Sequence, residues 1–440
     1  MNKIIRKVRT LIILSIELVV LSGCKYFSFS KNVKSLPYKR LSDTTFSIKP
    51  RTNYELTYYD IERLNHKYLK STGDINILVV PVLIREFEND YDINKAISDL
   101  NELYFTNQNS VKYFYYESSY HKLNINGRVK EEPIYYSFND FLRNKDVMID
   151  DLLEYINDTE LVEFDNDNNG RIDYISYIYL APFRENSVYW ASTYNTDSIF
   201  IDNYSFISVD FLYEDNELSI NTLAHELGHA FGLDDYYNGS SNTYDPVGRL
   251  DLMSDIFFDN NSFSKMALGW MKPLTISDKK EYMLYPLSTN GSALLIGNDY
   301  NSNPFSEYIL IEYICGGVYK GLRVYHIDAR LALINDNGVK VLNSYNCESG
   351  VVVAHSNNPT NSPLYHTVKN EEAYIPLIEL IDRRKRSHLK YDYDLTQESL
   401  FILGDVIELK NIKFYSEKGI NFNLKVTELT NNYAIISIEE

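Results

Sequence analysis

The chain has 440 residues, of which 44% are hydrophobic and 24% are charged, the composition of a folded protein long enough to bury two or more cores. Its formal net charge of −18 at pH 7 argues against a nucleic-acid partner, because neutralising phosphates requires an excess of Lys and Arg. Composition therefore excludes intrinsic disorder and nucleic-acid binding as first interpretations.

Residues 1–23 have the pattern of a processed export segment. Basic residues precede an apolar run over 11–21, and a small-residue cleavage site ends at Cys24. This pattern resembles a bacterial lipoprotein signal with Cys24 as the acylated residue. The alternative is a transmembrane anchor, but about eleven apolar residues cannot cross a hydrocarbon core of ~30 Å. We therefore expect a lipid anchor on the extracellular face of the cell membrane, followed over 24–73 by a tether and a short pro-segment.

Strand and helix patterns alternate from residue 74 onwards. The β-branched run over 76–84 predicts a strand buried on both faces, and helical spacing over 93–103 predicts a helix after it. Further helices are predicted over 110–120 and 140–156, and a half-buried strand is predicted over 122–129. A strand followed by a helix opens an α/β domain.

Oxygen-bearing side chains alternate along the segment DNDNNGRID over 165–173, with a glycine in sixth position. This is the first part of a calcium loop. A complete EF-hand is excluded, because Ser176 stands where a bidentate glutamate is required and a strand is predicted over 174–180. The alternative is a polar turn in which Asn and Gly supply left-handed backbone. The candidate Ca2+ ligands are Asp165, Asp167, Asn169 and Asp173.

The segment HELGHAFGLDD carries the strongest chemical signal in the chain. His225 and His229 are four residues apart, which places both imidazoles on one face of a helix and allows them to bind one cation. Glu226 can reach a water molecule on that cation. Apolar periodicity predicts the helix over 220–231, and Gly232 ends it with a left-handed cap.

A catalytic zinc site needs a third protein ligand and an open position for water. Thermolysin-like enzymes take that ligand from a glutamate on a later helix, but no glutamate occurs over 227–280. Gly232 allows the chain to turn back beneath the metal, where Asp235 becomes the candidate third ligand. Asp234 and Asp251 are the alternatives. In this arrangement Zn2+ lowers the pKa of its water toward ~7, and Glu226 is general base and then general acid.

The motifs around this segment resemble the immune inhibitor A family of secreted bacterial zinc metallopeptidases, which lie near the metzincins. The resemblance extends over roughly residues 75–330. It implies that Met253 forms a hydrophobic floor beneath the metal, that Asp235 is the third ligand, and that Tyr237 either packs in the same turn or steadies an oxyanion. The motifs that carry it are HELGHAFGLDDYY at 225–237, DLMS at 251–254 and FSKMALGW at 263–270, supported by NILVVPVLIREF at 76–87 and YESSYHKL at 116–123.

Short β-rich segments with turn residues between them follow Pro273 and predict a sandwich-like domain. The expected organisation is a catalytic domain over 74–273 and a β-rich domain over 274–440. In an exported protein Cys315 and Cys347 either pair or remain buried thiols. The predicted strands are 282–287, 293–296, 308–314, 322–326, 351–354, 400–407, 420–426 and 433–438.

Together these patterns predict an α+β or α/β fold in which a metzincin-like zinc peptidase domain precedes the β-rich domain. The expected function is a zinc-dependent endopeptidase acting on extracellular proteins. The resemblance to metzincins further implies that the substrate pairs as an added strand with an edge strand near 203–212. The alternative is a surface-anchored binding protein with a non-catalytic metal site. Glu226 argues against that alternative, because a structural zinc site needs no base and fills its fourth position with protein.

Overall fold

The computed structural model describes the chain in segments from residue 57 onwards. The expected export segment, Cys24 and most of the tether therefore lie outside the described residues, as do Cys347 and all but the end of the helix predicted over 140–156. The described residues are 57–60, 68–106, 108–137, 155–182, 191–195, 200–215, 217–237, 245–255, 258–277, 280–297, 304–330, 332–334, 340–342, 351–353, 357, 366–368, 371–373, 376–389, 393–415 and 419–439.

These residues form two compact units. The first unit takes in 74–115 and 124–230, and the second takes in the described parts of 57–73, 116–123 and 231–439. The division after residue 230 lies well before Pro273, after which the short β-rich segments of the sequence predict a separate domain. Within the described residues no helix is both long enough and apolar enough to cross a bilayer.

The first unit is built on a six-stranded sheet in the order β2-β1-β4-β6-β5, with β3 beside β1. β1, β4 and β6 run parallel to one another, and β5 runs antiparallel to β6. The predicted strand over 76–84 is confirmed as β1, in which every residue from Ile77 to Ile84 is buried, as expected of a strand covered on both faces. The strands are β1 (Gly73–Ile84), β2 (Leu123–Val129), β3 (Ile134–Tyr136), β4 (Ile172–Leu180), β5 (Ser192–Asn195) and β6 (Ile201–Ser208), with a hairpin of β7 (Tyr213–Glu214) and β8 (Glu217–Leu218).

The described helices are short. The side chain of Asp92 caps the first of them by accepting a hydrogen bond from the Lys95 backbone N–H at 3.1 Å. The helices predicted over 93–103, 110–120 and 220–231 are confirmed as α1, α2 and α4. The six α-helices that the described residues form are α1 (Ile93–Asn101), α2 (Val111–Ser118), α3 (Asp158–Glu163), α4 (Asn221–Ala230), α5 (Ser262–Ala267) and α6 (Leu287–Asn290).

The expectation that the segment 203–212 provides an edge strand is wrong. β6 ends at Ser208 and pairs with β4 on one side and β5 on the other, and a 3-10 turn follows over Val209–Leu212. Every residue of β6 is buried, as an internal strand requires. Among the described residues, the edge of the sheet next to β6 is β5, a four-residue polar strand without the apolar alternation that would predict a strand.

The second unit is β-rich, as the short β-rich segments after Pro273 predict. A five-stranded sheet has the order β19-β13-β12-β11-β9, and a four-stranded sheet has the order β10-β22-β21-β20. Side chains of both sheets form one hydrophobic core, as in the predicted sandwich-like arrangement. Across the described residues the architecture is α+β. The strands are β9 (Leu274–Thr275), β10 (Glu281–Leu284), β11 (Ala293–Ile296), β12 (Glu307–Gly316), β13 (Tyr319–Asp328), β14 (Ala332–Ile334), β15 (Lys340–Leu342), β16 (Val351–Val353), β17 (His366–Val368), β18 (Glu371–Ala373), β19 (Ile378–Leu380), β20 (Val406–Ile407), β21 (Asn423–Leu429) and β22 (Ala434–Glu439).

Candidate metal centre

Helix α4 and the turn after it bring three candidate ligands together. One ligand atom from each of His225, His229 and Asp235 lies within 4.8 Å of the other two. The two imidazole rings have centroids 4.8 Å apart at an interplanar angle of 88°, so they converge as side chains one helical turn apart do. His225 is 8% and Asp235 is 5% exposed, whereas His229 is half-buried.

Gly232 makes the turn from α4 to Asp235 sterically possible. Its φ is +104°, a conformation that residues with a Cβ rarely adopt. A Cβ at this position would also lie 2.7 Å from the Cβ of Tyr58. The sequence-based expectation of a left-handed residue after the helix therefore agrees with the backbone at Gly232, and the close approach of Tyr58 gives a second reason for glycine.

The geometry favours Asp235 over the two other aspartates considered as third ligand. Asp234 is half-buried, and its Oδ1 accepts a hydrogen bond from the Asp235 backbone N–H at 2.9 Å. Asp251 is fully buried, and its two oxygens accept the backbone N–H groups of Met253 at 2.8 Å and Asn261 at 2.7 Å. Asp251 thus organises a turn, whereas Asp235 groups with the histidines.

Glu226, the candidate base, is 4% exposed and is held from the edge strand β5. The hydroxyl of Thr193 lies 2.7 Å from Glu226 Oε2 and 2.8 Å from the main-chain oxygen of the same residue, and it donates to this pair of acceptors. A hydrogen bond to a carboxylate is stronger than a neutral one and restricts the rotation of the side chain. Thr193 therefore fixes the orientation of the base.

A row of hydroxyl groups crosses the sheet on the strands next to Thr193. Thr193 of β5 is opposite Ser205 of β6, which in turn is opposite Ser176 of β4. Tyr174 bonds to Ser205 and Tyr104 bonds to Ser176, both at 2.7 Å. Burial raises the pKa of both tyrosines above the usual value and the charge of Glu226 adds to the effect, so both remain protonated.

Sequence reasoning missed Thr193, Ser205 and the role of Ser176. Ser176 enters that reasoning only as a residue unsuited to an EF-hand. For Ser176 and Ser205 the available signal was a hydroxyl residue between large apolar residues of a strand, at a position that burial would normally assign to Val or Ile, whereas the short polar strand of Thr193 gave no such signal. Such residues need hydrogen-bond partners, and this need points to a polar site on that face of the sheet.

Met253 is fully buried in a turn next to the candidate ligand segment. Its carbonyl oxygen accepts a hydrogen bond from the Tyr236 backbone N–H at 2.8 Å, so the turn is joined to the residue that follows Asp235. Tyr237 is half-buried in the same segment. This placement is compatible with the role of a hydrophobic floor that the family resemblance implies for Met253.

The acidic loop over 165–173 brings three of its four candidate ligands together. Carboxylate oxygens of Asp165, Asp167 and Asp173 lie within 4.8 Å of one another, a hard-oxygen donor set that suits Ca2+. Asn169 is engaged differently: its Oδ1 accepts the Arg171 backbone N–H and its Nδ2 donates to Asp202.

Hydrogen bonds within the loop support the alternative of a polar turn. Asn168 has φ +58° and Gly170 has φ +88°. The backbone N–H groups of Asn169 and Gly170 both donate to Asp165 at 3.0 and 2.8 Å. The loop is therefore preformed by its own Asx contacts, and a cation would add to an existing arrangement.

Two imidazole nitrogens and one carboxylate oxygen form the donor set of a catalytic zinc site with three protein ligands, so the side chains at the end of α4 fit that metal chemically. Comparison with known proteins adds no assignment, since neither a protein-family model nor a curated protein sequence matches this chain.

Proposed function

We propose that this protein is a zinc-dependent endopeptidase. The observation that carries the proposal is the convergence of His225, His229 and Asp235 beside a buried glutamate, Glu226, that a threonine holds in place. A non-catalytic metal site would not require a base next to the first ligand, nor a dedicated hydrogen bond to orient it.

The chemistry follows from the positions of these side chains. Zn2+ held by the three ligands would supply a Lewis acid that lowers the pKa of water toward ~7. Glu226 accepts the proton of the attacking water and passes it to the amine of the cleaved peptide bond. Thr193 keeps one carboxylate oxygen of Glu226 in a fixed place throughout these two transfers. Burial of Glu226 strengthens both steps, because charges interact more strongly away from bulk water.

The edge strand β5 is the proposed binding place for the substrate backbone. Within the described residues β5 pairs only with β6, and its Thr193 contacts the candidate base. An extended peptide that adds a strand to β5 would place its backbone next to Glu226. A sheet with parallel central strands and an antiparallel edge strand beside the histidine-bearing helix is also the basis on which we propose a metzincin-like catalytic fold.

The proposal also covers the cellular location of the enzyme and a second metal ion. The lipoprotein-like pattern ending at Cys24 supports an enzyme anchored on the extracellular face of the bacterial membrane, where proteins and peptides are its substrates. The three converging carboxylates of the loop over 165–173 support a stabilising Ca2+.

The test is to purify the chain without residues 1–23, measure its bound zinc, and follow digestion of casein for the wild type and Glu226→Ala. We expect about one zinc per chain in both proteins and digestion by the wild type alone. Glu217→Ala, at an exposed position in the same unit, is the matched control and should digest casein normally. Bound zinc with equal digestion, or no digestion, by the wild type and Glu226→Ala would remove the peptidase proposal.

The calcium assignment has its own test. A ligand that binds only the folded state stabilises it by about 2.7 kcal/mol at a hundredfold excess over Kd. Added Ca2+ should therefore raise the melting temperature of the wild type but not that of Asp165→Ala. The exposed Asp90→Ala serves as control and should respond like the wild type. Equal responses of the wild type and Asp165→Ala would leave only the polar turn.

A further inference from the structure

We propose that a buried charge cluster in the second unit, formed by Asp251, Glu312 and Arg323, positions the third metal ligand. The cluster acts through the backbone of the turn that contains Met253 and through Tyr236, the residue after Asp235. The inference rests on the proposed metal site and deepens it, since it identifies the side chains that hold the segment of Asp235 in place.

The cluster begins with a cross-strand ion pair. Glu312 of β12 and Arg323 of β13 are directly opposite each other in register, and they are 0% and 4% exposed. Arg323 donates from Nε to Glu312, pairs with it through Nη2, and donates from Nη1 to the carbonyl oxygen of Leu250. One end of the guanidinium is thus fixed in the sheet and the other end holds the backbone of a loop.

The carboxylates of the cluster hold backbone N–H groups of the same loop region. Glu312 Oε2 accepts the N–H of Ser262 at 2.7 Å. Asp251 accepts the N–H of Met253 at 2.8 Å through Oδ1 and that of Asn261 at 2.7 Å through Oδ2. Glu312 therefore anchors the start of α5 to β12, and Arg323 anchors Leu250 to β13, by charge-assisted hydrogen bonds. Asp251 joins the turn that contains Met253 to the start of α5.

The anchored turn then holds the residue next to the candidate ligand. The carbonyl oxygen of Met253 accepts the Tyr236 N–H at 2.8 Å, and Asn357 Nδ2 donates to the Tyr236 carbonyl oxygen at 2.8 Å. The Tyr236 hydroxyl lies 2.7 Å from Ser264 Oγ of α5. Tyr236 is thus fixed at its backbone N–H, its carbonyl oxygen and its side chain, which leaves Asp235 little freedom to move.

A buried ion pair is weak evidence for added stability, because desolvation offsets much of its attraction and a hydrophobic pair often does as well. The contribution of this cluster is instead to fix positions, because its charged groups hold backbone atoms of the turn and of α5. A ligand on a turn needs such support more than a ligand on a helix, because the helix itself orients His225 and His229. Outer contacts that orient ligands typically change metal affinity by about 10- to 100-fold.

The experiment compares Asp251→Asn with Asp328→Asn in the full chain lacking residues 1–23. The N–H groups of Met253 and Asn261 donate to different oxygens of Asp251, so an amide at position 251 can accept only one of them and turns its NH2 group toward the other. Asp328 of β13 is the matched control, because it is fully buried and accepts two hydrogen bonds from the side chain of Arg330. Zinc affinity is measured by competition with a chromophoric chelator, and stability by urea unfolding of the metal-free proteins.

We expect Asp251→Asn to bind zinc about 10- to 100-fold more weakly than the wild type and Asp328→Asn to bind it within about twofold of the wild type. Amide hydrogen exchange at Tyr236 in the metal-free protein should be faster in Asp251→Asn only. Arg323→Lys, which keeps the charge but loses the fork of donors, replaces Asp251→Asn if that variant does not fold and should show the same two effects.

Equal zinc affinity of the wild type and Asp251→Asn would overturn the inference, as would an equal loss in Asp328→Asn, which would indicate a general effect of destabilisation. A wild type that binds zinc without cleaving peptides would remove the proposed function but leave the affinity comparison to decide this inference. A wild type that binds no zinc would remove both.

Discussion

Gly232→Ala is the substitution whose effect the structure specifies most closely. Two separate penalties apply at this position. The backbone has φ +104°, and an alanine held in a sparsely populated region costs ~1–3 kcal/mol. The new Cβ would also lie 2.7 Å from Cβ and 2.8 Å from Cγ of Tyr58, and overpacking a filled core costs ~1–3 kcal/mol. The expected loss of unfolding free energy is therefore ~2–6 kcal/mol.

The control is Gly404→Ala, which separates the two penalties. Gly404 has φ +90°, but no heavy atom lies within 4 Å of a Cβ built there, so only the backbone cost of ~1–3 kcal/mol applies. The assay is urea unfolding of the metal-free proteins followed by circular dichroism, with the urea dependence compared to ensure that the denatured states match. If Gly232→Ala is no less stable than Gly404→Ala, the close approach of Tyr58 to the turn is refuted.

Three further predictions test other contacts. Thr193→Val should lower kcat by about 10- to 100-fold at unchanged zinc content, because a hydrogen bond to a charged group contributes ~1.5–3 kcal/mol. Thr193→Ser retains the hydroxyl group and should keep most of the activity. Equal kcat for the wild type and both variants would contradict this prediction. Burial alone would raise the pKa of Asp382, but the hydrogen bonds from His388, Arg384 and Ser399 together outweigh it and hold the pKa well below its usual value. The contribution of Asp382 to the free energy of unfolding is therefore present above about pH 4 and is lost as the pH falls further. In a plot of unfolding free energy against pH, Asp382→Asn should therefore fall less steeply than the wild type at acidic pH. Parallel plots for the two proteins would contradict this prediction. Lys265→Met should lower the unfolding free energy by ~1–3 kcal/mol, because it leaves the buried carbonyl oxygen of Ser118 without its donor. An unchanged urea midpoint would exclude this role.

Local patterns predicted the elements that carry the candidate ligands. The apolar run over 76–84 lies in β1 because a strand that is buried on both faces needs no polar positions. The spacing of apolar residues over 220–231 gave α4 to within one residue at each end. The histidine pair, the glycine and Asp235 could all be read within eleven consecutive residues, because a helix and a glycine turn are local structures.

Contacts between residues distant in the chain could not be predicted in this way. Thr193 belongs to a four-residue polar strand, and its hydrogen bond to Glu226 depends on the pairing of β5 with β6. The opposition of Glu312 and Arg323 depends on the register of a β-hairpin, which is not visible as periodicity. The same reason explains why the expectation of an edge strand near 203–212 was wrong: β6 pairs with β4 along one edge and with β5 along the other.

The central claim is that Glu226 acts as the base in a zinc-dependent peptidase. The most direct measurement is the hydrolysis of a fluorogenic peptide by the wild type and by Glu226→Gln, both reloaded to equal zinc content. A glutamine has nearly the same shape but cannot accept the proton, and general base catalysis typically contributes 10²- to 10⁴-fold, so we predict a fall in kcat/KM of at least about 100-fold at unchanged zinc affinity. Equal kcat/KM for the two zinc-loaded proteins would contradict the account.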